Sequence, residues 1–282
     1  MNLSPAKVAF QGVLGAYSHQ ACSEAFPNAQ AIACNTFEGA IAAVKSGRAD
    51  IAMLPVENST YGRVADIHSL LPESGLHIVG EHFVRVHINL LAKKGVKLGD
   101  IKSAMSHTVL LGQVRKFLKK HDIAPVAGAD TAGSAQAVAN SDATDMGALA
   151  SEMAADIYGL EVLAHHIEDN QHNTTRFLVM SPEKNFPENG NDEFMTTFVF
   201  RVRNIPAALY KAMGGFATNG VNMVKLESYM IEGSFTATQF YADVIGHPDD
   251  PALKRALEEL TYFTTHLEIL GVYKTDIFRQ TA

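Results

Sequence analysis

Two short apolar runs, Ile51-Ala52-Met53-Leu54 and Phe177-Leu178-Val179-Met180, each meet a polar cluster at one end. The first is followed by Pro55-Val56-Glu57-Asn58-Ser59, and the second is preceded by Asn173-Thr174-Thr175-Arg176. Apolar runs this short, without polar alternation, read as strands buried on both faces of a helix-covered sheet. Polar groups at the ends of such strands sit where open α/β sheets bind ligands. Neither cluster is a metal-ligand set, a Ser-His-Asp arrangement or a Cys-His arrangement. Together they supply hydrogen-bond donors and one fixed positive charge, which suits a small, oxygen-rich anion.

The surrounding chain alternates strand and helix signals. Residues 8–10 read as a strand, 18–25 as a helix with Ser18 as its N-cap, and 36–46 as a second helix stopped by Gly47. A strand at 51–54 precedes a helix at 64–71 that ends at Pro72. The pattern returns between 77 and 165, with a strand at 87–91, a helix capped by Ser106 and running to 120, and helices at 131–140 and 152–158. Residues 162–167 and 175–180 bring the chain back. The order predicts an α/β domain over 1–182 with a mainly parallel sheet and two lobes, one of about 1–76 plus 166–182 and one of 77–165. A proline- and glycine-containing polar linker is expected at 183–194. Beyond it, residues 195–282 read strand-helix-strand-strand-helix-strand, the ferredoxin-like order. Its first helix is expected at 206–219 with Pro206 near N1, and one of its strands at 234–244.

Bulk properties narrow the function. At 282 residues the chain has room for two cores, and 47% hydrophobic with 19% charged residues is ordinary for a soluble globular protein. A net charge of -7 argues against a nucleic-acid partner, which needs a basic footprint. Cys22 and Cys34 are two thiols, too few for a disulfide framework or a zinc site. No apolar stretch approaches the roughly 20 residues that span a bilayer, so no membrane partner is expected. Residues 1–7 lack a signal-peptide core, and the expected compartment is the cytoplasm. His19, His165, His166 and His172 show no spacing that implies a metal.

The N-x-T-R-F segment at 173–177 and the P-x-E-N-S segment at 55–59 resemble the two signature motifs of prephenate dehydratase. The glycine-rich turn Gly12-Val13-Leu14-Gly15-Ala16-Tyr17-Ser18 and the pair Ser106-His107 match two further family segments in the same order. Four matches over residues 8–180 make the resemblance specific, where one alone would be weak. Thr108 departs from the family's usual proline, and Val13 and Ala16 stand where family members differ. The resemblance implies a two-lobed, periplasmic-binding-protein-like catalytic domain with its ligand between the lobes. It also implies a lyase that removes CO2 and hydroxide from prephenate to give phenylpyruvate, with no cofactor and no metal. The C-terminal region resembles an ACT domain, a regulatory amino-acid-binding module.

Such a reaction must help a ring hydroxyl leave and hold two carboxylates without favouring the ground state. Thr175 is the expected donor to the leaving oxygen, with Asn58 and Ser59 as catalytic partners. Ser18 and Ser106, read at helix starts, together with Asn173, Thr174 and Phe177, are expected to bind substrate. Arg176 has two readings, a bidentate carboxylate clamp or a brace paired with Glu57. Strand alternation favours the brace, because Thr175 and Arg176 should face opposite sides. Glu57 and His107 are expected to be structural supports.

In the family, phenylalanine is held by a G-A-L segment and an E-S-R-P segment at a dimer interface. Here these are Ala207-Ala208-Leu209 and Glu227-Ser228-Tyr229-Met230, with Asn222 and Met223 in the preceding strand and the Arg-Pro pair absent. Phenylalanine is the expected effector and the chain is expected to self-associate as a homodimer or homotetramer. Two other readings stand beside this one: arogenate dehydratase, and a two-lobed small-molecule sensor without catalysis.

Overall fold

The computed structural model describes residues 3–230 and 237–281. Along the chain these form β1 (Lys7–Gln11), α1 (Tyr17–Ala25), β2 (Gln30–Cys34), α2 (Phe37–Lys45), β3 (Ile51–Asn58), β4 (Gly62–Arg63) and α3 (Ala65–Leu70). Next come β5 (His77–Arg85), β6 (Asn89–Ala92), β7 (Ser103–Ser106), α4 (Thr108–Gln113), α5 (Arg115–Lys120), β8 (Ala124–Ala127) and α6 (Thr131–Asn140). The order continues with β9 (Met146–Ala150), α7 (Glu152–Tyr158), β10 (Glu161–Ala164), β11 (Thr174–Ser181), β12 (Phe194–Val202) and α8 (Ala208–Thr218). It closes with β13 (Met223–Met230), β14 (Ala237–Ile245), α9 (Pro251–Phe263), β15 (Thr264–Lys274) and α10 (Phe278–Thr281).

One compact unit comprises Ser4–Val64 and Phe83–Phe177. Its first sheet pairs β1 in parallel with both β2 and β3, and β4 folds back on the end of β3 with Glu57 opposite Arg63. Its second sheet runs β10-β6-β9-β7-β8. The central strands bury apolar runs, Val8–Phe10 in β1, Ile51–Leu54 in β3 and Leu90–Ala92 in β6, and one core gathers Leu90, Ala104, Leu110, Val114 and Leu149 between strands and helices. This is the expected two-lobed α/β architecture. The chain passes from the first sheet to the second after β5 and returns between β10 and β11.

The other unit comprises Met1–Leu3, Ala65–His82 and Leu178–Ala282. Here β13-β14-β12-β15 form an antiparallel sheet in the ferredoxin-like order, packed on one face by α8 and α9 through Phe198, Phe200, Ala212, Phe216 and Leu257.

Several boundaries depart from the sequence reading for identifiable reasons. Ser18 is not the N-cap of α1; that place is Ala16, with no side-chain cap, and the preceding turn is held instead by Gly15 N–H donating to His19 Nδ1 at 3.0 Å. Ser106 ends β7, and His107 caps α4 by accepting from Val109 N at 3.3 Å. The helix expected to run to 120 breaks at Val114. The Gln113 carbonyl turns to accept from Asp169 N at 2.7 Å, and the Asp169 carboxylate receives Lys116 N–H at the start of α5. Pro206 is not at N1 of α8, because Ala207 adopts a left-handed φ of 62° as the N-cap. The first residues of the strand expected at 234–244 lie outside the described residues. The strand β5 was not anticipated at all: His77, Glu81, His82 and Arg85 interrupt its apolar pattern. Glu81 is nonetheless buried, and Arg279 in α10 donates to both its oxygens at 2.7 and 2.8 Å.

Candidate active site

The end of β3 and the start of β11 lie side by side and are stitched together by polar contacts. Asn58 is the hub. Its Nδ2 donates to Asn173 Oδ1 at 2.7 Å and to Thr175 Oγ1 at 3.0 Å, while its Oδ1 accepts from the backbone of Thr60 and Tyr61 at 2.9 and 3.0 Å. The amide is thereby fixed in one orientation. Asn173 passes the network on by donating to the buried Gln113 at 2.9 Å.

A hydroxyl has one proton. Thr175 Oγ1 accepts from Asn58, so its own proton points elsewhere, and the half-buried side chain has room to use it. Thr174 and Arg176 take the other side of the strand. Arg176 donates to Glu57 Oε1 at 2.8 Å on that side. Thr174 Oγ1 is buried with no hydrogen-bond partner among the described residues, a situation that costs roughly 1–3 kcal/mol.

Ser59 is committed to the backbone. Its hydroxyl donates to the His172 carbonyl at 2.7 Å and accepts from Thr174 N at 3.0 Å, and its N–H donates to the Thr174 carbonyl. It clasps the two motifs to each other. Tyr61, just beyond, reaches the Val109 carbonyl in α4 at 3.1 Å. A cavity of about 140 Å³ opens there, lined by Tyr61, Gln113, Asp169 and Asn173 among others. Ser106 is wholly buried and donates to the Leu149 carbonyl at 2.7 Å, and Phe177 lies in the core. Ser18 is buried in the first turn of α1.

The glycine-rich turn is positioned by α7. Gly15 has a φ of 88°, and a Cβ there would come within 2.9 Å of Ala154 Cα. Ser151 donates to the Gly15 carbonyl at 2.6 Å, and Tyr158 to the Leu14 carbonyl at 2.8 Å. Burial holds the His19 pKa below its ordinary value, so the ring stays neutral and keeps accepting from Gly15 N. Burial and the negative charge of Glu168 push the Tyr17 phenol up, and its hydroxyl donates to the His87 carbonyl at 2.7 Å.

In the second unit a separate pocket of about 290 Å³ forms where β12 leads into α8. Ala207, Ala208 and Leu209 line it with Arg203, Ile205 and Phe240. Asn222, Met223, Glu227 and Ser228 are not on its wall but on and just before the edge strand β13. Tyr229, where the family motif has arginine, places its hydroxyl 3.0 Å from the Nδ1 of buried His68.

A further grouping has no signature in the sequence. His87, His166 and Glu168 bring three metal-competent donor atoms within 4.8 Å of one another. Residue spacing held no sign of it, because His87 is brought in by the fold from 79 positions before His166.

The Prephenate dehydratase family model matches residues 8–185. A "Bifunctional N-acyl-homoserine lactone acylase/prephenate dehydratase" from Komagataeibacter europaeus is 51% identical over 97% of this chain and 97% of its own. "Arogenate dehydratase/prephenate dehydratase 1, chloroplastic" from Arabidopsis thaliana is 37% identical over 98% of this chain and 74% of its own. Among solved structures, one described as "GqqA- a novel type of quorum quenching acylases" superposes with a TM-score of 0.92 at 51% identity, covering 97% of this chain and 99% of that one. Prephenate dehydratase in complex with L-Phe from Arthrobacter aurescens gives a TM-score of 0.86 at 29% identity, covering 95% and 90%. The matched region contains every element that builds the Asn58–Thr175 network, and the chain belongs to the prephenate dehydratase family.

Proposed function

We propose that this chain converts prephenate to phenylpyruvate and that Thr175 is the group that assists departure of the ring hydroxyl. The observation that carries the assignment is the Asn58 amide, which donates to Thr175 Oγ1 and so leaves the threonine proton for an outside acceptor. In the reaction the bond from ring carbon to carboxylate breaks and CO2 leaves. Its electron pair completes the aromatic ring, and the ring C–O bond breaks toward hydroxide. Negative charge grows on that oxygen, and a preorganised donor aimed at it lowers the barrier.

The remaining residues position this donor. Asn58, Asn173 and Gln113 lock its orientation, Ser59 clasps β3 to β11, and Glu57 with Arg176 braces the opposite face. Ser18 and Ser106 are buried in α1 and β7, His107 caps α4, and Phe177 anchors its strand in the core. Spectrophotometry at alkaline pH tests the reading directly: phenylpyruvate should accumulate when the purified chain meets prephenate, and its absence would overturn the assignment. Arogenate, whose product is phenylalanine, is the parallel substrate, since relatives carry that activity in their names. The acylase activity named for the K. europaeus relative is not part of this reading. Thr175 Oγ1 accepts from the Asn58 amide, which cannot act as the base that an acyl-transfer nucleophile needs.

Residues 195–282 are read as an ACT regulatory domain following a catalytic domain of 1–182 and a linker of 183–194. The ferredoxin-like sheet supports this, as does the pocket at Ala207, Ala208 and Leu209 and the L-Phe bound to the A. aurescens relative. The edge strand β13 exposes Val224, Leu226 and Met230, an apolar row suited to a second copy of the chain. Asn222 and Met223 of that copy would then complete an amino-acid site. Prephenate turnover with and without phenylalanine, read beside light scattering, tests both points. Indifference to phenylalanine in a monomer would reject them.

A further inference from the structure

The two segments along which the chain passes between its two sheets carry an arrangement the dehydratase chemistry does not use. His87 lies on the segment from β5 to β6, and His166 and Glu168 on the segment from β10 to β11. His87 Nδ1 stands 3.0 Å from Glu168 Oε1, and the His87 and His166 rings lie with centroids 4.0 Å apart. All three donor atoms fall within 4.8 Å of each other. Ligands of a tetrahedral ion with bonds of about 2.1 Å stand about 3.4 Å apart. The His87–Glu168 distance is thus already close to that spacing, and the exposed His166 ring brings the third donor within 4.8 Å of both.

The surrounding structure fixes the Glu168 carboxylate and the backbone that carries each histidine. Glu168 is buried, and its second oxygen accepts from Ile88 N at 2.9 Å, which fixes the carboxylate plane. The His87 backbone is gripped through its carbonyl by Tyr17 at 2.7 Å. His166 sits at a φ of 52°, in the left-handed region that a non-glycine residue enters at a cost of about 1–2 kcal/mol. Two contacts keep it there: its N–H donates to the buried Asn89 Oδ1 at 3.3 Å, and Ile167 N donates to the Ile88 carbonyl at 2.9 Å. Backbone strain maintained by buried neighbours, and an outer contact that orients a ligating carboxylate, are features of built sites.

We propose that His87, His166 and Glu168 form a binding site for one divalent transition-metal ion of the zinc type. Two imidazoles and one carboxylate match that class and not the oxygen-only preference of magnesium or calcium. With three protein ligands the ion keeps a position open to water. Bound there, it ties together the two chain crossings, one of which holds Asn173 through Val86 N donating to its carbonyl at 2.9 Å. The site is independent of the prephenate assignment.

Calorimetric titration of the chelator-treated intact chain with Zn2+ tests this, with Co2+ absorption as a report on the ligands. One ion should bind per chain, raise the melting temperature and resist displacement by Mg2+. His166→Ala removes an exposed ring with little risk to the fold and should weaken binding by at least about tenfold, and Glu168→Gln should do the same. His266→Ala, which removes another histidine lying beside a carboxylate, should leave the affinity unchanged. No saturable Zn2+ binding, a His166→Ala variant that binds as the parent does, equal loss in His266→Ala, or displacement by Mg2+ would each overturn the proposal.

Discussion

The guanidinium of Arg176 donates to Glu57 Oε1 at 2.8 Å, with the arginine side chain 2% exposed and the glutamate 29%. The pair links the first residues of β11 to the last of β3, one position away from the Thr175–Asn58 contact on the opposite face. Brace and donor are therefore adjacent in sequence and separated by the pleat. An arginine already facing a carboxylate has part of its charge neutralised, which favours bracing over clamping a substrate anion.

Arg176→Lys should lower both melting temperature and turnover, since lysine cannot reproduce a planar guanidinium contact. Glu57→Gln should resemble it. The loss should fall below the roughly 3–5 kcal/mol seen for fully buried pairs, because Glu57 retains contact with solvent. Thermal denaturation beside steady-state kinetics checks this. A rise in KM alone, with unchanged stability, would make Arg176 a substrate clamp.

Thr175→Ala should leave the fold intact and reduce kcat by about 10²–10³, corresponding to about 2.7–4 kcal/mol for one lost transition-state donor. Thr175→Ser should retain more activity because the hydroxyl survives. Asn58→Ala should lower kcat through Thr175, so the double variant should lose much less than the sum of the two. Near-parental turnover in Thr175→Ala would remove the residue from the mechanism.

Ala207→Gly should stabilise the chain by about 1 kcal/mol, the strain of a left-handed alanine less the extra freedom of glycine in the unfolded state. Urea denaturation reads this as a higher midpoint with an unchanged slope. A lower midpoint would show that the Ala207 methyl contributes packing that outweighs its backbone strain.

Acid should loosen the glycine-rich turn. His19 accepts from Gly15 N only when neutral, and burial depresses its pKa in the folded state. The unfolded chain takes up that proton first, near pH 6.5, so this contribution is fully present above that value and declines as pH falls toward the folded pKa. His19→Gln should flatten the pH dependence of melting temperature below 6.5. An identical dependence in the variant would rule out this group as its source.

Local pattern alone made several features legible. The uninterrupted apolar runs at 51–54 and 177–180 mark buried strands because every face of them packs. The period of two along β11 sets Thr175 and Arg176 on opposite sides. The 3.6-residue period of α2 and the order of elements after 195 likewise follow from which side chains must be hidden. What sequence could not decide are the places where a distant group satisfies a polar one. β5 is a strand although charges break its pattern, because Arg279 arrives to neutralise Glu81. The helix after Ser106 breaks at Val114 because Asp169 takes the Gln113 carbonyl. Ser59 became a clasp because the Thr174 backbone came within its reach. His87 meets His166 and Glu168 only where two chain crossings run together. Burial patterns are written in neighbouring residues, whereas hydrogen-bond partners are chosen by proximity in space, and that belongs to the tertiary structure.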